Sequence, residues 1–157
     1  MRKQLINPNL ENSSTTNQDW LDLTQQAQVE LTSEDPAYPI EGALDLEKKA
    51  GWRASQAGSQ CIRIIFDEPR NVRRIMLLFE EKQQPRTQEF VLRWSSDSGH
   101  TYQEIVRQQY NFSLPQTTRE LENYYVNLKE VTTIELSIIP DTNQQNVRAS
   151  LTHFRIG

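Results

Sequence analysis

The sequence predicts an all-β protein, an eight-stranded antiparallel jelly-roll β-sandwich, on three observations. The first lies in the stretch Gln60 to Gly99, QCIRIIFDEPRNVRRIMLLFEEKQQPRTQEFVLRWSSDSG. Ile62, Ile64 and Phe66 fall on one side with Arg63 opposite, and Ile75, Leu77 and Phe79 do the same with Arg74 opposite. Phe90, Leu92 and Trp94 repeat the pattern against Glu89 and Arg93. An apolar residue at every second position is what a strand with one buried face requires. The second observation is turn chemistry between these runs. Asp67-Glu68-Pro69-Arg70-Asn71 reads as a turn, because proline has no N–H for a ladder and Asx side chains favour turns. Ser96-Asp97-Ser98-Gly99 reads as a hairpin turn, with Gly99 at positive φ. The third is recurrence in the C-terminal third, where Tyr124, Val126 and Leu128, then Ile134, Leu136 and Ile138, alternate before Pro140-Asp141 ends the run. Met76, Leu78, Ile65 and Val91 make the second face partly apolar, so the middle of the sheet is expected to be covered on both sides.

Taken in order, residues 1–18 are rich in Asn, Ser, Thr and Gln. They hold too little apolar surface to offset the entropy of ordering, so a disordered polar tail is expected there and a single domain over 19–157. Asp19 is placed as the cap of a short turn carrying Trp20, Leu21 and Leu23, with Trp20 plugging one end of the core. Ala27, Val29 and Leu31 alternate and predict the first strand. TSEDPAYPIEG, Thr32 to Gly42, is a long loop with two prolines, and long loops in compact domains are disproportionately functional. Helical spacing over Ala43 to Lys49 predicts a turn or two of helix. Gly51 to Ser55 leads towards Gly58 and the strand from Gln60. Past the hairpin, Tyr102 to Arg107 pairs back, Gln108 to Gln116 is a loop, Asp141 to Asn146 is a polar loop, and Ser150 to Ile156 closes the domain. No repeat at a fixed period is visible.

Composition narrows the function. At 157 residues the chain has the length of one domain with a sizeable core. No apolar run approaches the ~20 residues a membrane helix needs, and the N-terminus lacks the apolar segment of a signal peptide. A single cysteine, Cys61, excludes an internal disulfide, and the expected setting is reducing and cytoplasmic. A net charge of −4 argues against a protein living on phosphate contacts, so no nucleic-acid partner is expected.

Catalytic constellations are missing. Only His100 and His153 could serve as bases, and no Gly-x-Ser-x-Gly elbow exists. His100 beside Asp97 and Ser98 imitates a triad, but neighbours in one turn cannot surround a reacting atom. Glu80-Glu81 and Glu120-x-Glu122 are sequence neighbours rather than acids opposed across a cleft. There is no Gly-rich phosphate loop and no Cys/His metal spacing; Asp35, Asp45 and nearby carbonyls are the candidates for a hard cation, against the plainer reading of a solvated loop. The expectation is therefore a binding module and not an enzyme. Its candidate residues are loop aromatics and hydrogen-bonding groups: Tyr38, Trp52 and Arg53, then Glu80, Lys82 and Arg86. Planar multi-donor groups suit adjacent hydroxyls and aromatic faces suit sugar rings. Each also has a plain reading: Trp52 as core, Arg86 as a loop tie, Lys82 as a solvated charge.

The order of features resembles the discoidin, or coagulation-factor C-type, domain of the galactose-binding-like superfamily. The resemblance runs from AQVELTSEDPAYPIEGALD through GWRASQAGSQCIRIIFDEP, VRRIMLLFEE and RTQEFVLRWSSDSGHTYQEI to IELSIIPD and ASLTHFRIG. It implies a jelly-roll sandwich that binds sugars, phospholipid head groups or protein partners through loops at one end. The matching loops carry Glu34 to Ile40, Trp52 to Ser55 and Glu80 to Arg86. It also implies a structural calcium near Asp45, helped by an acidic residue near the C-terminus, where this chain has His153 and Phe154. Membrane-binding members carry apolar spikes; here Gln83 to Thr87 is QQPRT, so no membrane partner is expected. The resulting expectation is a carbohydrate-binding module, with Arg53, Arg86 and Glu80 supplying hydrogen bonds and Tyr38 or Trp52 a stacking face. The alternative is a protein-interaction module using the same rim or a sheet face.

Overall fold

The computed structural model describes residues 20–157; the tail expected over 1–18 and the cap expected at Asp19 lie outside the described residues. Among the described residues there are eight strands: β1 (Ala27–Leu31), β2 (Trp52–Ala57), β3 (Gln60–Glu80), β4 (Arg86–Ser95), β5 (Gln103–Phe112), β6 (Arg119–Ile139), β7 (Arg148–Leu151) and β8 (His153–Ile156). The single-turn helices α1 (Leu23–Gln26) and α2 (Glu41–Leu44) flank β1. Asp22 caps α1 by accepting the Thr24 amide at 3.2 Å.

The number of strands matches the expectation, but the chain is divided differently. The runs 60–66 and 75–79 belong to one strand of 21 residues, and so do 124–128 and 134–138. The turn expected at Asp67–Asn71 is a bend inside β3. The ladder with β6 lapses between Ile65 and Arg70, where Pro69 has no N–H to offer, and Glu130 of β6 adopts a φ of +57° nearby. Pairing resumes on the far side, so β3 and β6 stay together through the bend. They form a folded ribbon that contributes one half to each layer of the sandwich. One layer runs β1-β3-β6-β4-β5; in the other, β8 joins the second half of β3, and β2 with β7 forms a short separate ribbon.

Two further expectations are corrected. β2 is a strand where only a lead-in was expected, because its backbone pairs with β7 (Trp52 with Leu151, Arg53 with Ser150). β5 runs to Phe112 instead of giving way to a loop at Gln108, because it pairs with β4 as far as Arg86. Its outer residues are polar because β5 is an edge strand, while Tyr110 and Phe112 pack inward.

Alternation then builds the core. Ile62, Ile64, Phe90, Leu92, Ile134 and Leu136 face Ile75, Leu77, Phe79, Phe154 and Ile156 across the sandwich. Phe79 and Phe90 stack between the layers with centroids 5.3 Å apart. Each such burial is worth about 1.5–3 kcal/mol before entropy is counted. Trp20 is buried but lies outside this cluster, under the Arg74 guanidinium 4.6 Å from its ring centroid. On the outer face, Glu30, Arg63, Glu135 and Arg93 alternate in sign across four neighbouring strands, with contacts of 3.8, 2.9 and 3.4 Å. Leu78 and Val91 are buried on their second faces while Ile65 and Met76 are half-buried, so the middle of the sheet is covered on both sides in part.

Folding the ribbon brings both ends of β3 to one end of the molecule. Gln60 pairs with Ile138, while Glu81, just past the other end, binds Arg86, which reaches the Pro140 carbonyl. The loops between β1 and β2, β3 and β4, and β6 and β7 therefore meet.

Candidate functional site

The first loop, Thr32 to Ile40, is held rigidly against β2. Asp35 N–H donates to the Arg53 carbonyl at 2.8 Å, and Arg53 N–H donates to the Tyr38 carbonyl at 3.1 Å. Trp52 Nε1 donates to the Ser33 carbonyl at 3.1 Å, and the Glu34 carboxylate accepts the Ile40 amide at 2.9 Å. Asp35 also closes its own turn by accepting the Ala37 amide at 2.9 Å. Prolines 36 and 39 add stiffness, so Tyr38 is presented on a fixed backbone.

The floor comes from the β2–β7 ribbon and the residues beside it. Gly51 has a φ of +78°, and a Cβ there would stand 2.9 Å from the Leu151 carbonyl, so only glycine fits this close approach. Arg53 pairs with Ser150, and period two places Arg148 on the same side as Ser150. The third wall is the loop after β3. Glu81 anchors it, its amide donating to the Thr118 carbonyl at 2.8 Å and its carboxylate accepting Arg86 Nε at 2.6 Å and the Gln83 amide at 3.0 Å.

These walls enclose an open cavity of about 500 Å3. Tyr38, Trp52, Arg53, Glu80 and Lys82 all line it, so five of the six predicted residues converge. Tyr38 is 37% exposed, and the Arg53 guanidinium lies 5.0 Å from its ring centroid. That cation–π stack fixes the direction in which Arg53 points its remaining donors. Glu80 and Lys82 lie 3.9 Å apart on the opposite wall.

Two assignments are corrected. Trp52 is 1% exposed, with its indole in the core and its N–H already donated, so it offers no stacking face. Arg86 is fully buried and does not line the cavity. Its side chain binds Glu81, Gln88 Oε1 at 2.9 Å and the Pro140 carbonyl at 2.8 Å, under the ring of Phe112 at 4.6 Å. Arg86 is a loop tie.

Behind it lies a buried polar chain. Gln88 Nε2 donates to Glu120 at 3.1 Å, leaving Glu120 Oε2 and Arg86 Nη2 without hydrogen-bond partners. Burial first, and then the neighbouring Glu122, push the Glu120 carboxyl from its ordinary 4.5 up to about 8. The same surroundings, burial and then Glu122, raise the Tyr124 hydroxyl as well. None of these groups reaches the cavity.

The calcium implied near Asp45 meets a poor fit. The Ala43 carbonyl accepts Arg155 Nη1 at 2.6 Å and the Asp45 carbonyl accepts Arg155 Nη2 at 3.4 Å. Asp45 Oδ1 accepts the Glu47 amide at 3.0 Å. A buried guanidinium thus holds the oxygens a divalent ion would need, and its positive charge repels one. Among the described residues no group of three or more His, Cys, Asp or Glu side chains is placed to hold a metal. The miniature triad is also dismissed: Asp97 binds Ser95 Oγ and Thr101 Oγ1, each at 2.6 Å, and His100 Nδ1 faces the Asp97 carbonyl at 2.6 Å. Hydrogen bonds from Ser95 and then Thr101 hold the Asp97 carboxyl well below the usual range. It is a turn staple.

Sequence reasoning missed Lys49, Asn146, Arg148, Ser150 and Thr152, which complete the cavity. The only signal was the period-two spacing of Arg148 and Ser150 in RASL, too short a run to announce a strand.

No protein-family model and no curated protein matches the chain by sequence. Solved structures match by shape. A CBM32 module of Clostridium perfringens CpGH89, in complex with GalNAc-β-1,3-galactose, superposes with a TM-score of 0.64 at 16% identity, over 87% of this chain and 98% of that one. The family 32 CBM of C. perfringens NanJ, in complex with galactose, gives 0.60 at 12% identity, over 87% and 96%. A Ruminococcus gnavus GH29 fucosidase in complex with fucose gives 0.66 at 12% identity, over 93% of this chain but 28% of that one. The chain thus shares the β-sandwich fold of these modules, as the resemblance to the discoidin domain implies.

Proposed function

We propose that this chain is a non-catalytic carbohydrate-binding module whose ligand enters the loop cavity bounded by Tyr38, Arg53 and Glu80. The observation that carries the reading is the convergence of three separate loops on one open cavity with an exposed aromatic ring and fixed hydrogen-bonding groups. A sugar asks for that combination: a ring face for its C–H surface and planar donors and acceptors for its hydroxyls. Rigid backbone anchoring of Tyr38 and Arg53 lowers the entropy lost on binding. Structures of the same fold solved with GalNAc-β-1,3-galactose and with galactose support the ligand class. No nucleophile–base pair or opposed carboxylates line the cavity, which favours binding over turnover.

A glycan array with the whole chain, followed by calorimetry on the best hit, tests this. Binding that Tyr38→Ala and Arg53→Ala each weaken at least tenfold, with melting temperature unchanged, supports the site. Absence of any glycan binding overturns it. A protein-docking role has one observation of its own: Leu121 and Tyr125, 55% and 77% exposed, share a face of β6 away from the cavity. Substituting both with serine tests that reading by loss of partner capture with glycan binding intact.

A further inference from the structure

The cavity carries a charge opposite to the chain around it. The chain as a whole is at −4, yet Lys49, Arg53, Lys82 and Arg148 line the cavity against only Glu80 and Glu81. Glu81 is committed to its own loop, and Glu80 and Lys82 offset each other, which leaves Lys49, Arg53 and Arg148 as the excess. Glu81 is bound to the buried Arg86 at 2.6 Å and to the Gln83 amide, and Glu80 stands 3.9 Å from Lys82. Among the described residues, Lys49, Arg53 and Arg148 have no carboxylate within 4.0 Å, although acidic residues outnumber basic ones in the chain. Arg53 stands opposite Ser150 in the β2–β7 ribbon, and Arg148 follows two residues away along β7, past an irregularity in the ladder between Arg53 and Ala57; both arginines line the cavity. Like charges gathered round one concave site repel, and a neutral sugar leaves that repulsion in place. A carboxylate relieves it and gains charge-assisted, bidentate hydrogen bonds from guanidinium.

Resting on the carbohydrate reading above, we propose that the ligand is an acidic saccharide, one whose terminal or internal residue carries a carboxylate. Arg53 and Arg148 clamp that carboxylate across Ser150. Tyr38 packs on the ring, and Lys49 draws the anion in from the flanking loop. Glu80 serves a hydroxyl of the same sugar. Uronic acids and sialic acids share this chemistry.

The test is calorimetry with the full chain against matched pairs: trigalacturonic acid and its methyl ester, and 3′-sialyllactose and its methyl ester. Each pair differs by the negative charge, and comparing the pairs separates the two sources. The expected result is that one acid binds about tenfold or more tighter than its neutral partner, as one charged, bidentate contact of ~1.4 kcal/mol or more implies. That preference should shrink as salt is raised from 50 to 300 mM. Arg148→Gln and Arg53→Gln should each abolish most of the preference, and Arg148→Lys should restore part of it. Equal or tighter binding of the neutral partners overturns the acidic-ligand inference and leaves the carbohydrate reading standing. Binding of none of these four saccharides, nor of any sugar on the array, overturns both.

Discussion

Arg53 and Arg86 come from neighbouring walls of the same end of the sandwich, and they do opposite things. Arg53 sits on a Tyr38 ring and lines the cavity, with no carboxylate within 4.0 Å among the described residues. Arg86 is fully buried, paired with Glu81 and reaching the Pro140 carbonyl. The contrast shows how the site is made. One layer of charges lies beneath the loops and fixes where they go; a second layer lies on them and lines the cavity. Arg155 belongs with Arg86, since it ties α2 to β8 through the Ala43 and Asp45 carbonyls. Lys49, Lys82 and Arg148 belong with Arg53.

That division is open to experiment, beginning where the largest effect is expected. Arg86→Ala leaves Glu81 and a buried carbonyl without their partner, which costs about 3–5 kcal/mol for a broken buried pair. At ~2–4 °C per kcal/mol for a domain of this size, the melting temperature should fall by roughly 10 °C. A fall below 2 °C, or loss of glycan binding without loss of stability, would move Arg86 into the binding layer.

Arg155→Met should come next. It keeps the buried volume but leaves two carbonyls unpaired, costing ~1–3 kcal/mol for each group left unsatisfied. Adding calcium or EDTA to the unaltered chain should leave its melting temperature unmoved. A stabilising shift with calcium would show that the ion competes with the guanidinium after all.

The third effect is a pH dependence from beneath the loops. The Glu120 carboxyl titrates at about 8 in the folded chain against an ordinary 4.5. Between those values the folded form holds a proton that the unfolded form has lost. The stability from this group is therefore full below about pH 4.5 and lost as pH rises through 8. Chemical denaturation at pH 5, 6.5 and 8 should show that decline, and Glu120→Gln should flatten it. An unchanged slope in the variant would assign the proton to another group, Glu122 being the first to try.

The smallest stability effects belong to the cavity-lining layer. Arg148→Gln and Lys82→Gln should each shift the melting temperature by less than ~2 °C, as surface substitutions do, while altering ligand affinity. If either destabilises as much as Arg86→Ala, the two layers are not separate.

Much of this was legible in the sequence because burial writes itself into period two. Ile62, Ile64 and Phe66, or Ile134, Leu136 and Ile138, alternate because each strand half has one inner face, and the structure buries all six. The loop Thr32 to Gly42 announced itself by its prolines and its isolated Tyr38 for an equally local reason. Arg53, Glu80 and Lys82 were found because they flank strands at turn-rich points. What stayed hidden needed distance information. Nothing in FDEPRNV says whether the chain turns back to start a new strand or bends and keeps its partner. That choice depends on β6, about 60 residues away, offering hydrogen bonds on both sides of the bend. Arg86 and Arg53 look alike as letters, and only the folding of β3 and β6 over the core places one beneath the loop wall and the other upon it. Lys49 and Arg148 were overlooked for the same reason. Side-chain chemistry is local and so was readable, whereas the pairing of a charge depends on which remote segment the fold sets beside it.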